Sequence, residues 1–188
     1  MADSQQPIAD SPMNDSRPIA LIGFRGTGKT SVARLLAERL GWDWVDADLE
    51  IEHRAGQNIA AIFAEQGESA FRDLESEVVR QLCGRLQTVI ALGGGAVLRE
   101  PNRACLANCR GVIWLQASAE TIALRLAGDS TTPLRRPNVT NHGGRTEIEV
   151  LLAQREPIYR ECATLEVDTE HKEPDEIAAE IFATLDLV

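Results

Sequence analysis

Apolar residues in this chain alternate between short unbroken runs and longer stretches at helical spacing. Residues 18–22 (Pro-Ile-Ala-Leu-Ile) have the length and continuity of a buried strand. Residues 29–40 then place Val32, Leu35, Leu36 and Leu40 on one helical face, and Gly41 supplies the stop. Residues 42–45 read as a second strand. Asn58 is a suitable cap for a short helix carrying Ile59, Ile62 and Phe63. A longer helix over 68–84 aligns Phe71, Leu74, Val78 and Leu82. Residues 88–92 and 111–115 are apolar runs that predict the third and fourth strands, and Ser118 opens a helix that reaches about residue 127. Residues 128–144 break the rhythm: Asp, Ser, Thr, Pro, Asn, Arg and Gly dominate, and apolar periodicity is lost. A loop that long inside a compact domain predicts a functional segment such as a lid. A helix over 146–161, a fifth strand near 163–167 and a last helix carrying Ile177, Ile181 and Leu185 complete the chain.

Five strands separated by helical stretches predict an α/β fold with a parallel sheet covered on both faces. The strands are continuous apolar runs, as strands buried on both sides should be. A length of 188 residues suits one domain, and no repeat or linker divides it. Residues 1–17 are poor in apolar residues and lack the basic and apolar blocks of a signal peptide, so they read as a flexible tail before a domain spanning 18–188. The expected location is the cytoplasm. No apolar run approaches the roughly 18–20 residues of a membrane span. The net charge of −10 argues against a broad nucleic-acid surface but leaves room for one nucleotide held by a local cluster of donors. Cys83, Cys105, Cys109 and Cys162 lack zinc-site spacing and read as reduced, mostly buried thiols.

Residues 23–30, Gly-Phe-Arg-Gly-Thr-Gly-Lys-Thr, match G-x-x-x-x-G-K-[ST] between a predicted strand and a predicted helix. That context makes the motif specific. Glycines let the loop turn its N–H groups around phosphate oxygens, and the following helix adds its positive end. Arg25, Gly26, Thr27, Gly28, Lys29, Thr30 and Ser31 are therefore candidate nucleotide-phosphate contacts. Lys29 suits the β- and γ-phosphates, and the Thr30 hydroxyl suits Mg²⁺. The motif does not name the phosphoryl acceptor. The D-x-x-G and N-K-x-D strings of GTPases are absent, as are the acceptor segments of adenylate and thymidylate kinases.

Ligands of open α/β sheets lie beyond the carboxyl ends of the strands. Asp46-Ala-Asp48 and Gly93-Gly94-Gly95 stand at two such ends. Together with Phe71-Arg-Asp-Leu-Glu75, Leu92-Gly-Gly-Gly-Ala-Val97 and Arg155-Glu-Pro-Ile-Tyr159, in this order after the P-loop, they make the chain resemble shikimate kinases from about residue 18 to its end. The resemblance implies a P-loop fold with a five-stranded parallel sheet of order 2-3-1-4-5, a mobile lid over about 128–145, and ATP-dependent phosphorylation of the 3-hydroxyl of shikimate.

It also implies residue roles. Asp48 matches the aspartate that contacts the acceptor hydroxyls, where it accepts the proton or orients the group; a helix N-cap is the competing role. Asp46 matches the Mg²⁺ shell, the alternative being a solvated strand-end carboxylate. Arg72 and Arg155 match the clamp on the acceptor carboxylate, which a planar guanidinium fits bidentately. For Arg72 the alternative is an intrahelical pair with Glu75 or Glu68; for Arg155 it is a solvated arginine. Gly93, Gly94 and Gly95 match the backbone that approaches the acceptor. The lid departs from the usual Arg-Pro-Leu-Leu: here Pro-Leu-Arg135-Arg136-Pro137 places Arg136 before the proline, with Arg135 as a competitor for the phosphate-reaching role. Arg125 and Lys172 fall near the adenine-binding segments. The histidines, the tryptophans and Tyr159 read as surface or packing residues. The catalytic set is thus Asp48, Lys29 and Arg136, with Mg²⁺ as cofactor, ATP and shikimate as partners, and a monomer without nucleic-acid or membrane partner as the expected state. A P-loop kinase for another small metabolite and a non-catalytic nucleotide-binding module are the rivals; ADP release that depends on the acceptor separates them.

Overall fold

The computed structural model describes residues 15–128 and 145–185. Most of the predicted lid, including Arg135 and Arg136, and residues 1–14 of the predicted tail lie outside the described residues.

The P-loop is delivered by the centre of the sheet. Strand β1 (Ile19–Ile22) is buried along its whole length, and β2 (Asp43–Asp46), β3 (Thr88–Ala91), β4 (Gly111–Gln116) and β5 (Leu165–Asp168) join it in the order β2-β3-β1-β4-β5. Every pairing is parallel. The predicted strand order holds.

Alternation within β1 divides the core. Ile19 and Leu21 face a layer built by α1 (Lys29–Leu40) and α7 (Pro174–Leu185), with Val32, Leu36, Ile177 and Ile181 packed among strand residues Val89, Ile113, Leu115 and Val167. Ala20 and Ile22 face the other layer, formed by α2 (Ala47–Ala55), α3 (Ile59–Leu82), α4 (Glu100–Leu106) and part of α6 (Arg145–Cys162). Ile51, Ile62, Phe71, Trp114 and Tyr159 are among its large side chains. A smaller cluster of Phe24, Ile122, Ile148 and Leu152 lies under the P-loop, where α5 (Ala119–Gly128) meets α6.

Several boundaries differ from the sequence reading. Asp46, not Asp48, caps α2: its Oδ1 accepts from the Asp48 and Leu49 amides at 2.9 and 3.3 Å. Asp48 stands in the first helical turn instead. The two helices expected around 59–63 and 68–84 are both present: α3 breaks at Gly67, whose φ of 81 and ψ of 172 are non-helical, and the two halves meet there at a kink. The fifth strand begins at Leu165, because the Ala163 amide still bonds the carbonyl of Tyr159 in the preceding helix. A 3₁₀ turn (Ala96–Leu98) and α4 were not anticipated. Among the described residues, no helix is long and apolar enough to cross a membrane.

Leu36 is fully buried between α1 and the sheet, whereas Leu124 on α5 is 69% exposed. Leu36→Ala should cost about 2–5 kcal/mol and Leu124→Ala less than about 0.5, read from urea midpoints at unchanged slope.

Candidate active site

The loop between β1 and α1 encloses its own lysine. Gly28 stands at the head of α1 with φ 90, so Lys29 opens the helix with its stem buried. Lys29 Nζ donates to the carbonyls of Gly23 at 2.9 Å and Phe24 at 2.7 Å. Thr27, also buried, donates its hydroxyl to the same Phe24 carbonyl at 2.8 Å. Thr30 and Ser31 are exposed in the first turn of α1, and Arg25 and Gly26 are half-buried in the loop. The predicted phosphate contacts are therefore one contiguous surface at a helix N-terminus, where backbone N–H groups favour an anion.

The end of β2 supplies the carboxylates. Thr30 Oγ1 donates to Asp46 Oδ2 at 2.6 Å. Because Oδ1 of the same carboxylate caps α2, Asp46 joins the two helix starts. Asp48, half-buried one residue into α2, is carried beside this junction. The oxygen pair of Thr30 and Asp46 suits a hard divalent cation. Among the described residues, no group of three or more His, Cys, Asp or Glu side chains could hold a metal. A cation here would take most of its ligands from phosphate and water, as Mg²⁺ commonly does.

The end of β3 brings in the arginines. Gly93, Gly94 and Gly95 are buried. A Cβ on Gly94 would sit 3.3 Å from both the Arg25 amide nitrogen and the Gly23 carbonyl oxygen, so this loop is packed against the P-loop backbone. A Cβ on Gly95 would sit 2.8 Å from Nη1 of Arg72. Arg72 Nη1 donates to Glu75 Oε2 at 2.7 Å, and Nη2 lies 3.5 Å from Glu68 Oε1. The intrahelical pair is thus formed, and it holds the guanidinium against Gly95 and over the Phe71 ring. From the other side, Arg155 on α6 reaches Gly94: its Nη1 lies 3.5 Å from the Gly94 carbonyl, and its guanidinium stands 5.4 Å from the centre of the Phe24 ring. Among the described residues Arg155 makes no ion pair. Two arginines from different helices converge on one glycine loop beside the phosphate cradle.

Arg125 and Lys172 lie further along the same sheet edge. Arg125 donates to the Thr169 hydroxyl at 3.0 Å and the Thr169 carbonyl at 2.8 Å, tying α5 to the turn after β5. Lys172, in that turn, bonds Glu180 at 2.7 Å, and this partner raises its pKa. In the same turn Glu170 accepts from the Ser118 amide and the Thr121 hydroxyl, which hold its carboxyl below the usual range.

Three contributions were not foreseen: the burial of Glu75, named only as a pairing partner of Arg72, the role of Asn102, and the hydrogen bond of Tyr159. Glu75 is a carboxylate with 1% exposure beneath Arg72; its place on the Phe71–Val78–Leu82 stripe was the available signal, since a charge there has to be buried. Asn102, buried in α4, donates to the Ala96 carbonyl at 2.8 Å and fastens the backbone that follows the glycines. Tyr159, read as packing, also donates its hydroxyl to the Gly94 carbonyl at 2.5 Å.

A family model described as shikimate kinase matches residues 25–186. The shikimate kinase of Thermobifida fusca is 48% identical over 169 residues, covering 89% of this chain and 94% of that protein. That of Rhodopirellula baltica is 45% identical over 162 residues, covering 86% and 87%. Among solved structures, a shikimate kinase from Acinetobacter baumannii in complex with shikimate superposes with a TM-score of 0.83 at 34% identity, covering 90% of this chain and 92% of that one.

The dual role of Asp46 separates by substitution. Asp46→Ala should lose about 1 kcal/mol of stability with the α2 cap, while Asp46→Asn, which keeps the capping oxygen, should stay within about 0.5 kcal/mol of wild type in chemical denaturation.

Proposed function

The chain belongs to the shikimate kinase family, and from that premise we propose how its own residues carry out the reaction. The enzyme phosphorylates the 3-hydroxyl of shikimate with ATP, giving shikimate 3-phosphate and ADP on the route to chorismate and the aromatic amino acids. The observation that carries the residue assignment is the convergence of Arg72 and Arg155 on Gly94 and Gly95 beside the P-loop.

In this reading the P-loop amides of residues 25–31 and Lys29 hold the triphosphate, with Lys29 Nζ exchanging loop carbonyls for β- and γ-phosphate oxygens. Thr30 and Asp46 would hold Mg²⁺, which neutralises charge on the phosphates when bound. Arg125 and Lys172 flank the adenine. Arg72 and Arg155 grip the shikimate carboxylate, and the backbone of Gly93, Gly94 and Gly95 lies along the ring. Glu75 fixes one edge of the Arg72 guanidinium, and the acceptor carboxylate takes the place of the long contact that Glu68 makes at 3.5 Å with Nε and Nη2.

Asp48 meets the 3-hydroxyl and either accepts its proton or orients it. The hydroxyl oxygen attacks the γ-phosphorus in line, the bond to the β–γ bridging oxygen breaks, and ADP leaves. Arg136, with Arg135 as the competitor beside it, is assigned by sequence motif to the charge that develops on the transferring group. The reading takes residues 18–188 as one kinase domain and the enzyme as a cytoplasmic monomer acting on two small substrates, without a nucleic-acid or membrane partner. The net charge of −10 supports the nucleic-acid part.

A coupled assay should show ADP release that depends on shikimate; release that is indifferent to shikimate but dependent on another small acceptor would displace this substrate. Arg155→Ala should raise the KM for shikimate by about tenfold or more with a smaller change in kcat. Asp48→Asn should mainly lower kcat, by about 10²-fold or more if it is the proton acceptor. Wild-type kinetics in both variants would defeat the site assignment.

A further inference from the structure

The hydroxyl of Tyr159 and the guanidinium of Arg155 approach the same atom. Tyr159 is 1% exposed and donates to the Gly94 carbonyl at 2.5 Å. Arg155 lies one helical turn earlier on α6, on the same face, with Nη1 3.5 Å from that carbonyl, at the outer edge of hydrogen bonding. The tyrosine ring is held by Trp114, with centroids 5.7 Å apart and planes tilted by 33°. Gly94 is equally constrained from the opposite side, since its Cα faces the P-loop backbone at Arg25 and Gly23. The Gly94 peptide is therefore wedged between the phosphate loop and α6, and the phenol sets the spacing on the α6 side.

We propose that Tyr159 is a positioning residue for the acceptor clamp: its hydroxyl occupies the Gly94 carbonyl and so holds the Arg155 guanidinium off that carbonyl, available to the acceptor carboxylate. The proposal rests on the reading of Arg155 as part of the clamp. Loss of the phenol leaves the buried carbonyl only the long Arg155 contact, which is costly, and a cationic N–H is a stronger donor than a neutral one. Without the phenol, Arg155 is the nearest replacement, and it needs to move only from 3.5 Å to ordinary bonding distance. Each gain in that bond draws the guanidinium away from the acceptor. The ATP side of the loop is held by backbone packing at Arg25 and Gly23 and is not altered by losing one hydroxyl.

The test is a double-mutant cycle in the full chain with Tyr159→Phe and Arg155→Ala. Tyr159→Phe should raise the KM for shikimate about three- to tenfold, the range expected from one hydrogen bond, with the KM for ATP changed less than about twofold. In the Arg155→Ala background the same substitution should add less than about twofold, because the group it acts through is gone. A Tyr159→Phe effect on the shikimate KM that persists in full without Arg155, or one confined to ATP, overturns the inference. If Arg155→Ala itself leaves the shikimate KM unchanged, the clamp reading falls and takes this inference with it. If only Tyr159→Phe is silent, this inference alone falls. Tyr159 is the single tyrosine of the chain, which adds a measurement on the unmutated enzyme. Its ring-carbon resonance in ¹³C-tyrosine-labelled protein should shift when shikimate is added. A resonance that stays fixed at saturating shikimate overturns the coupling even if the phenylalanine variant fails to fold.

Discussion

Gly94 rests its Cα against the backbone of the P-loop, and the rest of the site takes its spacing from that contact. A side chain there would press on the Arg25 amide and the Gly23 carbonyl at 3.3 Å, so glycine lets the ends of β3 and β1 come this close without displacing the backbone. The phosphate cradle and the glycine loop are thereby parts of one backbone surface. Arg72 and Arg155 reach that surface from opposite sides, Arg72 at Gly95 and Arg155 at Gly94. Rigid backbone at the centre and charged side chains at its rim are a sound division, because the backbone is already ordered by the sheet while long arginines must be held by neighbours.

Those neighbours are visible. Glu75 is buried and bonds Arg72, so it restrains a cation that would otherwise sample many rotamers. Arg155 lies over Phe24 of the P-loop and beside Gly94, which ties α6 to both loops without a covalent link. Asp46 is shared between the start of α2 and the hydroxyl of Thr30. In a chain whose net charge is −10, the site gathers Lys29, Arg25, Arg72 and Arg155 into one place, which suits it to bring a polyphosphate and a carboxylate together.

The missed elements have physical explanations. α4 is short, carries few apolar residues and begins at a Glu-Pro pair, so no periodic stripe announced it; its packing against the 3₁₀ turn made it helical. The cap moved from Asp48 to Asp46 because β2 ends directly at α2, and one residue can close a strand and open a helix when no loop intervenes. Gly67, with positive φ and extended ψ, divides α3 into the two helices that the sequence predicts on either side of it.

The local order of residues determined the class of fold and the phosphate-binding loop on its own. Period and continuity of apolar runs specify five strands, although only the central three are covered on both faces while the edge strands β2 and β5 stay partly exposed, and the spacing of glycines, lysine and threonine in residues 23–30 carries its chemistry within eight positions. The pairing of Arg72 with Arg155 was legible only through family resemblance, because they are 83 positions apart and nothing local says that they meet. Tertiary structure decided that they do, by placing α3 and α6 on either side of the β3 end. It also decided that Glu75 is a buried counterion and that Tyr159 holds the Gly94 carbonyl, since burial and hydrogen bonding across a fold depend on three-dimensional neighbours and not on order along the chain.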